Sequence, residues 1–333
     1  MKGTICKYAV MGLAAVCLAA CGNKSITEYH EGARDKVVDG VSLMVSIDDN
    51  LPFINSFAAP TMAGDTLIIV DFRSTDLLMT AYDIYSDSTL GRFGKYGNGP
   101  GEVGNPLIRI YNKYDNNFYF GNGNRGVMST FFLPDAVSDS TYDAVDKMNM
   151  DFYQGIQSPY VIEKSTAICT SWSDVNSRDF RISKLNLDTG DVTLLDTVTS
   201  EDKMKMGIAV SEKNRRIYAF DRERDLICIY DLDGKLCKKI YGPEYDSDVE
   251  EYEYFFSSGV ICGDKVAVTY TGRKQDTDRG QIILMDLDGR YLMTLQFDST
   301  IHGLAYHDKT NRLYLTTTGE PQIGYIELDK LPD

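Results

Sequence analysis

The chain has 333 residues, 43% of them hydrophobic, and its 49 Asp and Glu outnumber 34 Lys and Arg for a formal charge of −15. That is ample apolar material for a core, and so acidic a surface repels phosphate backbones, which speaks against a nucleic-acid partner. Three histidines argue against a His-rich metal centre, and seven cysteines, split between the amino end and the body, do not form a disulfide scaffold.

Residues 1–20 read as a secretory signal: Lys2 and Lys7 precede an apolar run too short to span a bilayer. The run ends in Leu18-Ala19-Ala20-Cys21, which resembles the lipobox of bacterial lipoproteins. The resemblance implies that Cys21 becomes a lipidated first residue, an effectively permanent anchor in the cell envelope, with the outer membrane expected. Processing would remove Lys2 and Lys7 and lower the net charge to −17. Residues 21–39 then read as the lipidated Cys and a flexible polar tether, and residues 40–333 as one domain.

That domain is built of repeats. Tyr82-Asp83-Ile84, Phe131-Phe132-Leu133, Leu185-Asn186-Leu187, Tyr230-Asp231-Leu232, Met285-Asp286-Leu287 and Ile326-Glu327-Leu328 each mark a strand end and a reversal. Their middle residues stand 41 to 55 apart, the period of a β-propeller. The fold class is therefore all-β, a six-bladed β-propeller.

Taken in order, blade one uses 65–70, 77–82 and 90–93, and blade two uses 107–111, 118–120 and 127–133, with an indistinct outer strand in acidic 136–151. Blade three uses 160–162, 167–171, 180–185 and 192–195, and blade four 207–210 and the three strands between Arg216 and Tyr241. Blade five uses 260–261, 266–270, 282–285 and 291–297, and blade six 304–306, 313–316 and 322–328. Blade six lacks a fourth strand before the chain stops, which would leave an open edge. The strand-like run 41–47 (VSLMVSI) is expected to complete that blade and close the ring.

The Gly97-x-Gly99-Pro100-Gly101-Glu102 end of blade one, the Asn124-Arg125 pair and the six reversals resemble propellers of the TolB-like and NHL-like kind, several of which are envelope lipoproteins. The glycine run lacks the Gly-Lys-Ser/Thr ending of a phosphate loop and reads as a bend between blades. Cys228 and Cys237 lie on opposite arms of one hairpin, so a cross-strand disulfide and buried free thiols are both open readings.

The turns between second and third strands gather on one face of a propeller, beside the blade-to-blade connections. Five of the six offer a guanidinium: Arg73, Arg125, Arg178, Arg222 with Arg224, and Arg273 with Arg279; blade six has Glu320. Arg forks grip oxyanions bidentately, which suggests an anion-recognising face; the alternative is that each Arg pairs with an acid of the next blade. Trp172, read as standing beside Tyr160, could stack on a sugar ring or pack in the core. His302 is read as a structural residue at the channel rim. The acidic run 244–253 lacks a calcium loop's glycine and distant Glu and reads as a short surface helix with a solvated face, and Asp276-Thr277-Asp278 in blade five's long turn leaves the same two readings open.

Two functions follow. One is a monomeric, cofactor-free binding or scaffold module presenting a face to an anionic glycan, a peptide or an envelope protein. The other is a metal-dependent propeller hydrolase or lyase with calcium or zinc in the channel, although no catalytic set is identifiable and the channel-side segments are mostly apolar. Deleting residues 41–47 is expected to lower the melting temperature markedly; an unchanged melting temperature would rule out ring closure by that segment.

Overall fold

The computed structural model describes residues 26–42, 58–150, 155–172, 180–195, 204–246, 255–272, 279–319 and 321–332. Two short strands come first, β1 (Thr27–His30) and β2 (Val37–Val38). Blade one is β3 (Ala58–Ala63), β4 (Thr66–Asp71), β5 (Leu77–Asp83) and β6 (Ser88–Lys95). Blade two is β7 (Pro106–Asn112), β8 (Asn117–Asn122), β9 (Val127–Phe132) and β10 (Val145–Asn149), with helix α1 (Leu133–Ser138) between the last two strands. Blade three is β11 (Gln157–Glu163), β12 (Thr166–Trp172), β13 (Phe180–Asn186) and β14 (Val192–Leu194). Blade four is β15 (Met206–Ser211), β16 (Arg216–Asp221), β17 (Leu226–Asp231) and β18 (Leu236–Tyr241). Blade five is β19 (Phe256–Cys262), β20 (Lys265–Tyr270), β21 (Gly280–Asp286) and β22 (Tyr291–Phe297). Blade six is β23 (Ile301–His307), β24 (Arg312–Thr317) and β25 (Ile323–Glu327).

Each blade is an antiparallel meander in chain order. The repeating reversals have a common physical cause. The Asp286 carboxylate accepts the backbone N–H groups of Asp288 at 2.9 Å and Arg290 at 2.8 Å, and Asp231 holds Asp233 and Lys235 in the same way. Asp83 accepts from Tyr85 and Ser86, and Asn186 from Asp188 and Thr189. Only a short side chain with an acceptor oxygen can fold back on its own turn, which is why Asp and Asn mark the period. Gly234 and Gly289 follow at φ +83° and +75°, where a Cβ would also strike the neighbouring blade at Leu195 and Ile240.

The middle strands are mostly apolar because both their faces are covered. Ile217 and Ala219 point toward blade three, while Tyr218 and Phe220 point toward blade five. One such apolar cluster fills each of the six interfaces around the ring. The cluster that closes it joins Ala58, Leu67, Ile69 and Tyr82 of blade one to Ala305, Tyr314, Ile323 and Tyr325 of blade six. Polar contacts fasten the same seam: Thr316 donates to the Ala58 carbonyl at 2.9 Å, and Asp65 takes His307 Nε2 at 3.0 Å and Lys309 Nζ at 2.7 Å.

Four expectations need correction or restriction. The stretch read as a loose tether is, over residues 26–38, a strap: β1 adds parallel to the outer edge of β18 and β2 parallel to that of β22. Their exposed edges supply backbone partners that a polar sequence can use without any side-chain period. Blade one has an inner strand, β3, missed because Ala58-Ala59-Pro60-Thr61 lacks strand-forming residues; Pro60 fits because Gly303 opposite has no Cβ. The indistinct outer part of blade two holds both α1 and β10; Pro134 in the helix's first turn and Gly91, whose Cβ would lie 2.0 Å from the Val137 carbonyl, let α1 sit on blade one. The proposed closing strand lies, from Leu43 onward, outside the described residues; Val41 donates to Gln296 of blade five.

No disulfide joins Cys228 and Cys237. Cys228 stands opposite Lys239, because a register shift after Ile229 leaves Cys237 without a cross-strand position.

Asp286→Ala removes the carboxylate oxygen that accepts two turn N–H groups and is expected to cost about 1–2 kcal/mol in urea unfolding. An unaltered midpoint would contradict the role given to this carboxylate.

Candidate functional site

Strand direction divides the ring into two faces. The turns after first and third strands lie on the lower face; the turns after second strands and the links between blades lie on the upper face. The expected arginine ring belongs to the upper face, where Arg178 and Arg273 fall outside the described residues.

The others are occupied. Arg125 forks onto Asp146 of its own blade, with Nη1 at 3.0 Å from Oδ1. Arg224 donates to Asp221 at 2.6 Å; burial raises that carboxyl's pKa, and the Arg224 charge offsets only part of the rise. Arg222 reaches Gln157 of blade three at 3.2 Å. Arg73 and Arg279 are exposed at the rim, and each has a partner. The acids taken by Arg125 and Arg224 lie in their own blades, so the expected pairing with the next blade does not hold for them. Local carboxylates beside a turn are nearer than those across an interface.

Trp172 and Tyr160 are not neighbours. Tyr160 pairs with Ile168 on the lower half of blade three, whereas Trp172 ends the same strand at the upper face. The Trp172 ring packs edge-on to Phe180 and lies over Gly155, where a Cβ would come within 2.2 Å. Tyr160 sits near Tyr114 and Glu212; burial, then the Glu212 charge, pushes its hydroxyl pKa up to about 12. His302 is half-buried at the start of β23, and burial lowers its pKa. In the glycine bend, Glu102 accepts the Gly99 N–H at 2.9 Å and pairs with Lys95, so the loop's amide already holds an internal carboxylate.

Two features were not anticipated. The first is a buried charge cluster where the strap crosses from blade four to blade five. Arg34 forks onto Asp225 at 2.9 and 3.1 Å and onto Glu31 at 2.7 and 2.9 Å, and its guanidinium lies 4.9 Å from the Tyr270 ring centre. The Tyr270 hydroxyl donates to Glu244 at 2.9 Å. The Asp225 side chain has no solvent exposure, and Gly242 leaves it room, since a Cβ there would meet the carboxylate at 2.2 Å. Burial works against the Arg34 charge, but Asp225 and Glu31 more than offset it and raise its pKa; burial raises that of Glu31. Arg34 and Asp225 are 191 positions apart, so no local pattern could reveal the pair.

The second is Arg109, in the middle of β7, the innermost strand of blade two. Its guanidinium lies 4.8 Å from the Phe72 ring centre, and burial lowers its pKa to about 10 with no carboxylate among the described residues opposing the shift. The only sequence signal was a cation inside the apolar run Leu107-Ile108-Arg109-Ile110-Tyr111. Among the described residues no three His, Cys, Asp or Glu form a metal-binding group.

No protein-family model and no curated protein matches the sequence. Solved structures share the fold at very low identity. A member of the DUF4221 family from Bacteroides vulgatus aligns with a TM-score of 0.54 at 9% identity, covering 84% of this chain and 93% of that one. The Swd1 β-propeller domain of Myceliophteria thermophila gives 0.48 at 9%, over 85% and 99% of the two chains, and a nidogen/laminin complex 0.49 at 11%, over 74% and 82%. The first supports the fold alone, and the other two carry no argument. The chain is a six-bladed β-propeller.

Proposed function

We propose that this chain is a lipid-anchored envelope module of the TolB-like or NHL-like kind, seated on the outer membrane, that presents the upper face of its ring to a glycan, peptide or protein partner. The observation that carries the reading is the direction of the strap. Thr27 pairs with Lys238 near the lower-face turn of blade four, and His30 with Tyr241 near the upper face. The chain therefore enters at the lower face and climbs the outside of the ring. Cys21 lies five residues before Ile26, a reach of at most about 17 Å. A lipid there holds the lower face toward the bilayer and turns the upper face away from it.

The strap makes the connection stiff. Backbone pairing to β18 and β22 and the Arg34 cluster join the anchor to two blades at once, which suits a scaffold whose partner arrives from one side.

Three outcomes are expected. Cys21→Ser leaves the protein in the soluble fraction; membrane retention would overturn the anchor. In a Cys237→Ser background reconstituted on vesicles, Glu223→Cys on the upper face reacts with a bulky maleimide as fast as in detergent, while Asp288→Cys on the lower face is slowed. The reverse order would overturn the orientation. Arg34→Ala strands a buried carboxylate and should cost about 3–5 kcal/mol, with faster proteolysis before residue 40.

A further inference from the structure

We infer that Arg109 is the anchor of an oxyanion-binding site in the central channel, taking a carboxylate or a similar small anion. The inference goes beyond the proposed scaffold role and does not depend on the lipid anchor.

The position comes from the topology. Strand β7 is the first strand of blade two, bordered by β3 of blade one and β11 of blade three. Ile108 and Ile110 turn into the interface with blade three, and Tyr111 turns toward blade one. Arg109 shares the Tyr111 side of the strand and extends to Phe72, which directly follows β4 at the upper face. Protein surrounds the guanidinium, yet the residue keeps partial contact with solvent. As the innermost strand of its blade, β7 borders the central channel.

The chemistry distinguishes it from other sheltered arginines of this chain. Arg34 faces Asp225 and Glu31, Arg224 faces Asp221, Arg125 faces Asp146, and Arg312 faces Glu327. Arg109 has neither a carboxylate nor a hydrogen-bond acceptor among the described residues, only the Phe72 ring. Taking a cation from water costs several kcal/mol, and a ring face returns about 1–2. The fork is thus left with its donors unused in surroundings of low dielectric, where a bidentate oxyanion gains most. Of the two strands that border β7, β3 reads Ala-Ala-Pro-Thr-Met-Ala with no acid, and β11 carries its one acid, Glu163, at its lower end, away from Phe72. In a chain of net charge −15, an unneutralised interior cation also gives anions a local place to go that the outer surface denies them.

The test is calorimetric titration of the full chain with inorganic phosphate, acetate and glucuronate in dilute Tris buffer. Saturable one-to-one binding of at least one of them is expected, weakened at least about tenfold by Arg109→Met and partly restored by Arg109→Lys. Acetate and glucuronate binding alike would mark an isolated carboxylate as sufficient; a marked preference for glucuronate would mark a sugar acid. Without added anion, Arg109→Met should melt at or above the wild-type temperature, because an uncompensated charge has gone. No saturable binding of any of the three, or equal binding by Arg109→Met, overturns the site. Should Arg109→Met fail to fold, phenylglyoxal modification of the wild type decides: protection of Arg109 by the bound anion supports the site, and unprotected modification overturns it.

Discussion

A sheet of four short strands cannot bury both its faces alone, and the whole architecture answers that constraint. Each blade gives one face to its predecessor and one to its successor, so the residues of a middle strand alternate between two different cores. The series ends only if the last blade meets the first. Here it does so through an apolar cluster equivalent to the other five, with Tyr82 and Tyr314 among its largest buried side chains. Asp65, held between His307 and Lys309, fastens the lower rim of the seam, and Thr316 with Ala58 the upper.

Once the ring is closed, its two faces and its outer edges become distinct surfaces. The outer edges of blades four and five receive the strap, and the strap's polar sequence is what an edge-pairing segment needs: backbone groups first, with side chains such as Arg34, Glu31, His30 on Tyr241 and Val38 against blade five adding to them. The buried cluster at that crossing contributes specificity of position, since Asp225 without Arg34 would be a carboxylate sealed from water. The inner strands pose the opposite problem. Arg109, on such a strand, meets the Phe72 ring and no acid among the described residues.

The fold was largely legible in the sequence because its period is written in turn chemistry. Asp83, Asn186, Asp231 and Asp286 each fold a side-chain oxygen back onto their own turn, and few residue types can do so. Blade two departs from the pattern at Phe132, and there the chain enters α1. The inner strand of blade one was hidden by its alanines and Pro60, whose place depends on a glycine more than two hundred residues away. The site was less legible. Arginines near turns are easy to collect from a sequence, but whether each meets an acid depends on packing. Arg125 and Arg224 proved to be occupied, and Arg109, which looked like a strand interior, did not. Arg34 was passed over because its partner is supplied by another blade.

The central claim is that blades one and six hold each other as firmly as any other neighbouring pair. Amide hydrogen exchange read by mass spectrometry measures this directly. The account predicts that β4 of blade one and β24 of blade six exchange as slowly as β16 of blade four and β20 of blade five. Exchange of β4 and β24 orders of magnitude faster than β16 and β20 would mean a ring that opens at its seam, and would contradict it.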